Sequence, residues 1–112
     1  GVLHTDPQRQ MLNFGDMIIA GERNGPVSPS PKMLGAVVAS DDPAAFDVTL
    51  CKLMGFPFER IPLIRNLITG KTIVPYTTPE VILNGKKPIA MDHIDFPKEW
   101  KFEPHDAWKY EK

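Results

Sequence analysis

The sequence predicts an α/β fold, with α+β as the alternative, in which helices flank a small mixed sheet in a single domain over residues 1–112. Two apolar runs, residues 16–20 and 33–39, have the length of strands and are bounded by turn-forming residues. A capped helix follows the second run directly. Ligands of α/β proteins usually bind beyond the carboxyl ends of strands, so a site is expected after Ala20 and after Ala39.

The composition is that of an ordinary globular domain. A chain of 112 residues can bury about two-thirds of the surface that its unfolded form exposes. Apolar residues make up 42% and charged residues 24%, which argues against disorder. The 12 prolines indicate many loops and short elements, since each proline removes a backbone donor.

The first part of the chain is expected to supply the sheet. A Thr-Asp-Pro cap predicts a short helix over residues 8–12. Residues 16–20 are predicted as a strand that ends at the turn residues 21–26, and prolines are expected to hold residues 27–31 extended. The run 33–39 has the continuous apolar character of a strand covered on both faces, so it is expected to be the central strand.

Two helices are predicted next. Asp42 offers an N-cap acceptor, Pro43 suits the first helical position and Gly55 is a natural stop, so the first helix should span residues 43–54. A second helix should begin at Pro62 and end before residue 70, unless a single helix continues through Pro62 with a kink. The apolar face predicted for the second helix consists of Leu63, Ile64, Leu67 and Ile68.

The last part of the chain has weaker signals. Residues 81–83 are predicted as a short strand, and Asn84-Gly85 suits the positive φ angles of a tight turn. Pro88 makes a regular return strand unfavourable. Residues 91–112 are interpreted as a tail that docks through its aromatic rings. These rings belong to Phe96, Trp100, Phe102, Trp108 and Tyr110.

Charge and cysteine content argue against several functional classes. Thirteen basic and 14 acidic residues leave no electrostatic footprint for nucleic acid or an anionic membrane. The single cysteine, Cys51, fits a reducing compartment, so a cytoplasmic location is expected. No apolar run approaches the roughly 20 residues of a membrane span, and no signal peptide is visible. Because the chain starts with Gly1 instead of Met, this residue is interpreted as a tag scar or as the start of an excised fragment, so the native start and any targeting signal are expected to be missing.

Residues 21–26 form the first candidate site. Glu22 and Arg23 lie at the end of a predicted strand, between two glycines at GxxxG spacing. The third glycine of a dinucleotide fingerprint is missing, so the segment is a weak phosphate cradle. The alternative is a tight loop in which Gly25 adopts a positive φ angle.

Asp47 is the second candidate, because its position on the predicted helix is surrounded by uncharged residues. The neighbours at i±3 and i±4 are Pro43, Ala44, Leu50 and Cys51. A buried carboxylate needs a cation, backbone donors or a raised pKa. Asp47 either ties the helix to the loop 21–31, through Arg23, Lys32 or loop amides, or faces a ligand.

No metal site, cofactor or nucleophile motif is expected. The three histidines, His4, His93 and His105, lack metal-ligand spacing. Cys51 is interpreted as a small core residue, and the serines lie in no nucleophile motif.

Four motifs in this region form a specific set. They are G-E-x-N-G-P at positions 21–26, P-K-x-L-G at 31–35, D-P-x-A-x-D at 42–47 and L-M-G-F at 53–56. Together they resemble the C-terminal part of the prokaryotic family called domain of unknown function 362. The ending Phe102-x-Pro104-His105-x-x-Trp108-Lys109 is similar to the tail of some members, so the resemblance extends over residues 5–110.

The resemblance implies that the chain is the C-terminal portion of a longer protein, since full-length members are several times longer. Some members carry a ferredoxin-type insert, which a chain with one cysteine cannot inherit. The family has no established general reaction. The resemblance therefore adds weight to Glu22, Asn24 and Asp47 as site residues without supplying an activity.

Two functional hypotheses follow. The first is a ligand-binding or catalytic half-site of unknown reaction, completed by an N-terminal portion of the same protein. Its candidate residues are Glu22, Arg23, Asn24, Gly25, Lys32 and Asp47. The second is an interaction module without ligand chemistry that forms a homodimer through Trp100, Phe102 and Trp108. A concave polar cluster of Glu22, Asn24 and Asp47 favours the first hypothesis, and a buried, satisfied cluster favours the second.

Overall fold

A long antiparallel hairpin is the largest element of the structure, a computed structural model that describes residues 2, 4–6, 8–70 and 75–108. Strand β1 covers Asn13–Asn24 and strand β2 covers Ser28–Ser40. The strands pair along their whole length, with Asn13 opposite Ser40 at one end and Asn24 opposite Ser28 at the other. Both predicted strands exist, but the predicted break at residues 21–26 is wrong because β1 continues through most of that segment.

The glycine and prolines that predicted a break are accommodated inside the hairpin. Gly21 pairs with Pro31, and a Cβ at Gly21 would lie 2.9 Å from Pro29 Cβ, so the close approach of the strands requires glycine. Prolines are tolerated in β2 because it lies at the edge of a two-stranded sheet.

The two faces of the hairpin differ in burial. On the inner face, Met17 and Leu34 are buried. A bulge between Met17 and Ile19 shifts the register, and the Ile18 N–H there donates to Asp16 Oδ1 at 3.0 Å. Because Met33 on the opposite face is 77% exposed, the prediction that residues 33–39 form a central strand covered on both faces is wrong for the part of the chain described.

Helix α1, Pro43–Met54, has the predicted bounds. Asp42 Oδ1 accepts from the N–H groups of Ala44 and Ala45 at 2.8 and 3.2 Å. Gly55 ends the helix with φ 75°, a left-handed conformation that glycine adopts without strain. These local signals lie within a few residues of each helix end, which is why the sequence was sufficient to place both.

Helix α2, Pro62–Ile68, also begins and ends as predicted, and a 3₁₀ turn at Phe58–Arg60 replaces the alternative of a single kinked helix. Ile64 is buried with residues of α1, whereas Leu63 is 75% exposed and does not belong to the apolar face. The first core cluster consists of Val48, Cys51, Ile64 and Met91.

A second small sheet follows. Strand β3, Glu80–Val81, pairs antiparallel with strand β4, Ile89–Ala90. Asn84 and Gly85 between them have the predicted positive φ angles, 50° and 70°. β3 shares only Val81 with the predicted strand 81–83, and β4 begins directly after Pro88, where the missing N–H disturbs no pairing. The α/β prediction is confirmed, with the strands arranged as two antiparallel pairs.

Residues after β4 run across the hairpin and α1, with 3₁₀ turns at Met91–His93 and Lys98–Trp100. Phe96, Trp100 and Phe102 pack against the second core cluster, which consists of Met17, Leu34 and Leu53. Trp108 is exposed, and Tyr110 lies outside the described residues. The hairpin, α1 and the aromatic segment therefore share one core.

The predicted helix over residues 8–12 is wrong, since these residues have no regular secondary structure. The proline of its predicted cap, residue 7, lies outside the described residues. Among the helices that the structure describes, none has the length and apolar character needed to cross a membrane.

Candidate functional site

The hairpin end, residues 22–32, carries a partly buried ion pair on its inner face. Glu22 and Lys32 extend from neighbouring strands, and Glu22 Oε2 lies 3.6 Å from Lys32 Nζ. Their side chains are only 14% and 17% exposed. Lys32 Nζ also lies 5.7 Å from the centre of the Phe102 ring, within range of a cation–π contact. The ammonium group is therefore held between a carboxylate and an aromatic face.

Residues 102–106, which we call the C-terminal clamp, close over this pair. The Glu103 N–H donates to Glu22 Oε2 at 2.7 Å, and the Glu103 carbonyl accepts from the Arg23 N–H at 3.0 Å. The Phe102 N–H donates to the Met54 carbonyl at 2.8 Å, which ties the clamp to the end of α1. Three elements thus meet at the hairpin end.

Asn24 makes the outermost contact between the hairpin end and the C-terminal clamp. Its Nδ2 donates to Asp106 Oδ2 at 2.8 Å, and its Oδ1 accepts from the Asp106 N–H at 3.4 Å. Both groups lie at the surface, so this contact adds orientation more than stability.

The turn between the strands differs from its prediction. Gly25 lacks the positive φ angle that was predicted, and Arg23 adopts one instead, with φ 66°. The Gly25–Pro26 peptide bond is cis. The prediction was wrong because the positive φ angle lies inside β1, at Arg23. The chain then reverses its direction at residues 25–27 without a positive φ angle at Gly25.

Asp47 is exposed, so the prediction of a buried carboxylate is wrong. Within the described residues, no hydrogen bond or ion pair joins it to Arg23, Lys32 or the other hairpin candidates. Asp47 acts electrostatically on Cys51. Burial raises the pKa of the Cys51 thiol, and the negative charge of Asp47 raises it further. Cys51 is buried in the core, as predicted.

The hairpin end and the start of α1 do not converge. β2 has 13 residues, and at about 3.3 Å per residue it spans roughly 40 Å. The turn at residues 25–27 lies before β2 and the helix cap Asp42 lies after it, so they occupy opposite ends of this strand. The predicted site therefore divides into a hairpin cluster of Glu22, Lys32 and their neighbours, and a separate Asp47.

The sequence did not predict the contributions of Glu103 and Asp106. Both lie about 80 positions from their partners, and no local pattern reports such a contact. The aromatic character of the tail was the available signal, because Phe102 packs beside Lys32 and brings Glu103 with it.

Two surface grooves lie away from the candidate residues. One, of about 420 Å³, lies between the end of α1 and the 3₁₀ turn at Lys98–Trp100, and its charged lining residues are Lys52, Asp95, Lys98 and Lys101. The other is lined by residues 9–12 and Asp41. In the described ranges, no group of three or more His, Cys, Asp or Glu side chains is placed to hold a metal ion.

Comparison with protein families gives one match. The model described as "Domain of unknown function (DUF362)" matches residues 3–52, which bears out the family resemblance for the three motifs at 21–26, 31–35 and 42–47. This range contains all six candidate site residues but ends before the C-terminal clamp. Comparisons with curated proteins and with solved structures gave no match.

Proposed function

We propose that the hairpin end is a ligand-binding or catalytic half-site of a larger prokaryotic protein, with an unknown reaction. The observation that supports this proposal most is the Glu22–Lys32 pair, whose side chains are less than one-fifth exposed. Withdrawing two charges from water has a desolvation cost that often exceeds their mutual attraction, so such a pair is a poor way to stabilise a hairpin.

The roles within the half-site follow from the chemistry of its groups. Lys32 offers a positive charge to an anionic ligand, and Glu22 offers a carboxylate as a base or a hydrogen-bond acceptor. Arg23 and Asn24 flank this pair on β1, and Gly25 follows them without a side chain. Asp47 stays a separate candidate on α1.

The half-site needs a second polypeptide surface to enclose a ligand, because its hairpin residues, from Glu22 to Gly25 together with Lys32, lie at one end of a two-stranded sheet. An N-terminal portion of the same protein is the partner proposed by family resemblance. We also propose a cytoplasmic location, since the single cysteine fits a reducing compartment, and no nucleic-acid partner, since the net charge is −1.

Amide chemical shifts test the half-site directly. Inorganic phosphate probes Lys32 and Arg23, and Mg²⁺ probes the carboxylates of Glu22 and Asp106. We expect saturable shifts at the amides of residues 23 and 103 with at least one probe.

A matched pair of variants makes this titration specific. Lys32→Gln should abolish the phosphate response, whereas Lys86→Gln, an exposed lysine in the turn between β3 and β4, should leave it unchanged. An absence of saturable shifts with both probes would contradict the half-site proposal.

The second candidate function is an interaction module that forms a homodimer. Two observations favour it: the chain itself satisfies much of the hairpin cluster, and the hairpin has an exposed apolar face. Light scattering over a dilution series tests it, and a monomer at high micromolar concentration would contradict it. Because Trp100 and Phe102 pack against the second core cluster, Trp108 is the tail ring with most surface available for contact.

A further inference from the structure

The outer face of the hairpin is apolar over most of its length. We define the outer face as the side of β1 and β2 opposite Met17 and Leu34. Its large apolar side chains, all more than half exposed, are Phe14, Ile18, Ile19, Met33 and Val37. Exposed apolar patches of this kind on soluble proteins usually mark interaction surfaces.

The outer face also carries two charges of opposite sign. Asp16 lies opposite Val37 towards one end, and Arg23 lies opposite Pro29 towards the other. Both side chains are exposed, and neither forms an ion pair within the part of the chain that the structure describes. Between them, Ile19 lies opposite Met33, so an apolar centre separates a negative position from a positive one.

This arrangement of charges is self-complementary. In a twofold contact, a residue i that meets residue j of the other copy is matched by j meeting i, and residues at the axis meet their own equivalents. Turning one outer face by 180° over another places Asp16 of each copy near Arg23 of the other, with Ile19 and Met33 in the middle.

Pairing of strand edges is a less suitable mode of association. Between the pairs Met17–Ala36 and Ile19–Met33, β2 has one residue more than β1, so Ile18 has no paired residue, and its N–H is already bonded to Asp16. Pro29 and Pro31 have no N–H to donate from β2. The faces of the sheet, rather than its edges, are therefore available for association.

We propose that the outer face binds a second copy of this chain, face to face around a twofold axis near Ile19 and Met33. This proposal rests on the second candidate function and not on the Glu22–Lys32 pair, which extends from the inner face; Arg23 is the residue that the two proposals share. Phosphate or Mg²⁺ binding at the hairpin end can therefore fail without affecting the dimer, and the reverse also holds.

Sedimentation equilibrium on the purified chain and its variants tests the proposal. Met33→Glu should weaken dimerisation by at least about tenfold, because two like charges then meet at the apolar centre. Leu63→Glu is the matched control, since Leu63 is similarly exposed but lies on α2, and it should leave the dimer unchanged.

A charge exchange tests the twofold register separately. Asp16→Arg and Arg23→Asp should each weaken the dimer, because each places like charges in contact. The double variant should recover most of the wild-type affinity, and circular dichroism will show that each variant is folded. A wild-type monomer at high micromolar concentration, a dimer insensitive to Met33→Glu, or a failure of the double variant to recover would overturn the proposal.

Discussion

Asp47 shows how strongly a helical position depends on which side of the helix faces the core. The buried residues of α1 are Val48, Thr49, Cys51 and Leu53. Asp47 has apolar neighbours at i±3 and i±4, but it lies outside the side of α1 that faces the core. The first buried residue of the helix is the next one, Val48. The sequence showed the neighbours of this carboxylate correctly, but it could not show the direction in which α1 packs.

Replacing the Asp47 carboxylate should have little effect on stability. An exposed side chain without a hydrogen-bond partner among the described residues leaves no buried donor unsatisfied when it is changed. We expect Asp47→Asn to change the free energy of unfolding by less than about 0.5 kcal/mol. Urea unfolding at neutral pH measures this change, and a loss of more than about 1 kcal/mol would show that Asp47 has a buried partner after all.

The Cys51 thiol should make stability depend on alkaline pH. Burial and then Asp47 raise its pKa in the folded state, so the folded protein keeps the proton at pH values where the unfolded chain releases it. The stabilisation that the protonated thiol adds to the free energy of unfolding is fully present below the pKa of the unfolded thiol. It is lost as the pH rises through the raised pKa of the folded thiol. Urea unfolding between neutral and alkaline pH should therefore show falling stability.

A variant separates the effect of Cys51 from that of Tyr76, whose pKa burial and Asp92 also raise. Cys51→Ala lacks the thiol and should lose stability less steeply with rising pH than the wild type. Equal slopes for the two proteins would show that Cys51 does not titrate differently on folding.

Among the secondary-structure elements, α1 and α2 were predicted with their observed bounds, whereas the bounds of β1 and β2 and the helix over residues 8–12 were predicted wrongly. The start of α1 depends on Asp42 and Pro43, and its end depends on Gly55, all of which are local. The bounds of β1 and β2 depend instead on a partner strand. Because β1 pairs with β2, it continues through Gly21 to Asn24 and lies opposite two prolines of β2. Glycine and proline each predict a break when the pairing is not known.

The end of α1 should be sensitive to substitution of its glycine. Gly55 has φ 75°, and a Cβ there would lie 2.9 Å from Lys101 Cγ. We expect Gly55→Ala to destabilise the protein by about 1–2 kcal/mol through backbone strain. Thermal unfolding monitored by circular dichroism measures the loss.

Gly25→Ala is the matched control for this prediction. Gly25 has no positive φ angle, and a Cβ there would lie at an ordinary contact distance, 3.8 Å from Pro29 Cβ. Gly25→Ala should therefore destabilise the protein less than Gly55→Ala does. Equal losses for the two variants would remove the conformational explanation.

At the scale of the whole molecule, the C-terminal clamp joins elements that are distant in sequence. Phe102 packs against the second core cluster, lies beside Lys32 and is bonded through its backbone to Met54. The candidate site was predictable only in part for this reason. The motifs selected Glu22, Asn24 and Lys32, which do lie together, but the sequence could not show that β2 is long enough to separate them from the start of α1.

Truncating the Phe102 ring should loosen the hairpin end more than the rest of the protein. We expect Phe102→Ala to cost about 2–3 kcal/mol, somewhat less than for a fully buried ring, and to speed hydrogen exchange at the amides of Arg23 and Glu103. Leu63→Ala, at an exposed position of α2, should do neither. Unchanged exchange at both amides in Phe102→Ala would show that the ring does not hold the C-terminal clamp in place.

The sequence distance across the C-terminal clamp has a consequence during protein synthesis. Glu22 and Glu103 are 81 positions apart, so at about 5–20 residues per second a ribosome adds Glu103 roughly 4–16 s after Glu22. A hairpin forms within about 1–10 μs. The hairpin can therefore form before the residues that close its end are synthesised, but an isolated two-stranded hairpin is only marginally stable in water. Until the C-terminal clamp is added, the apolar and charged side chains of the hairpin end that have left the ribosome are accessible to chaperones.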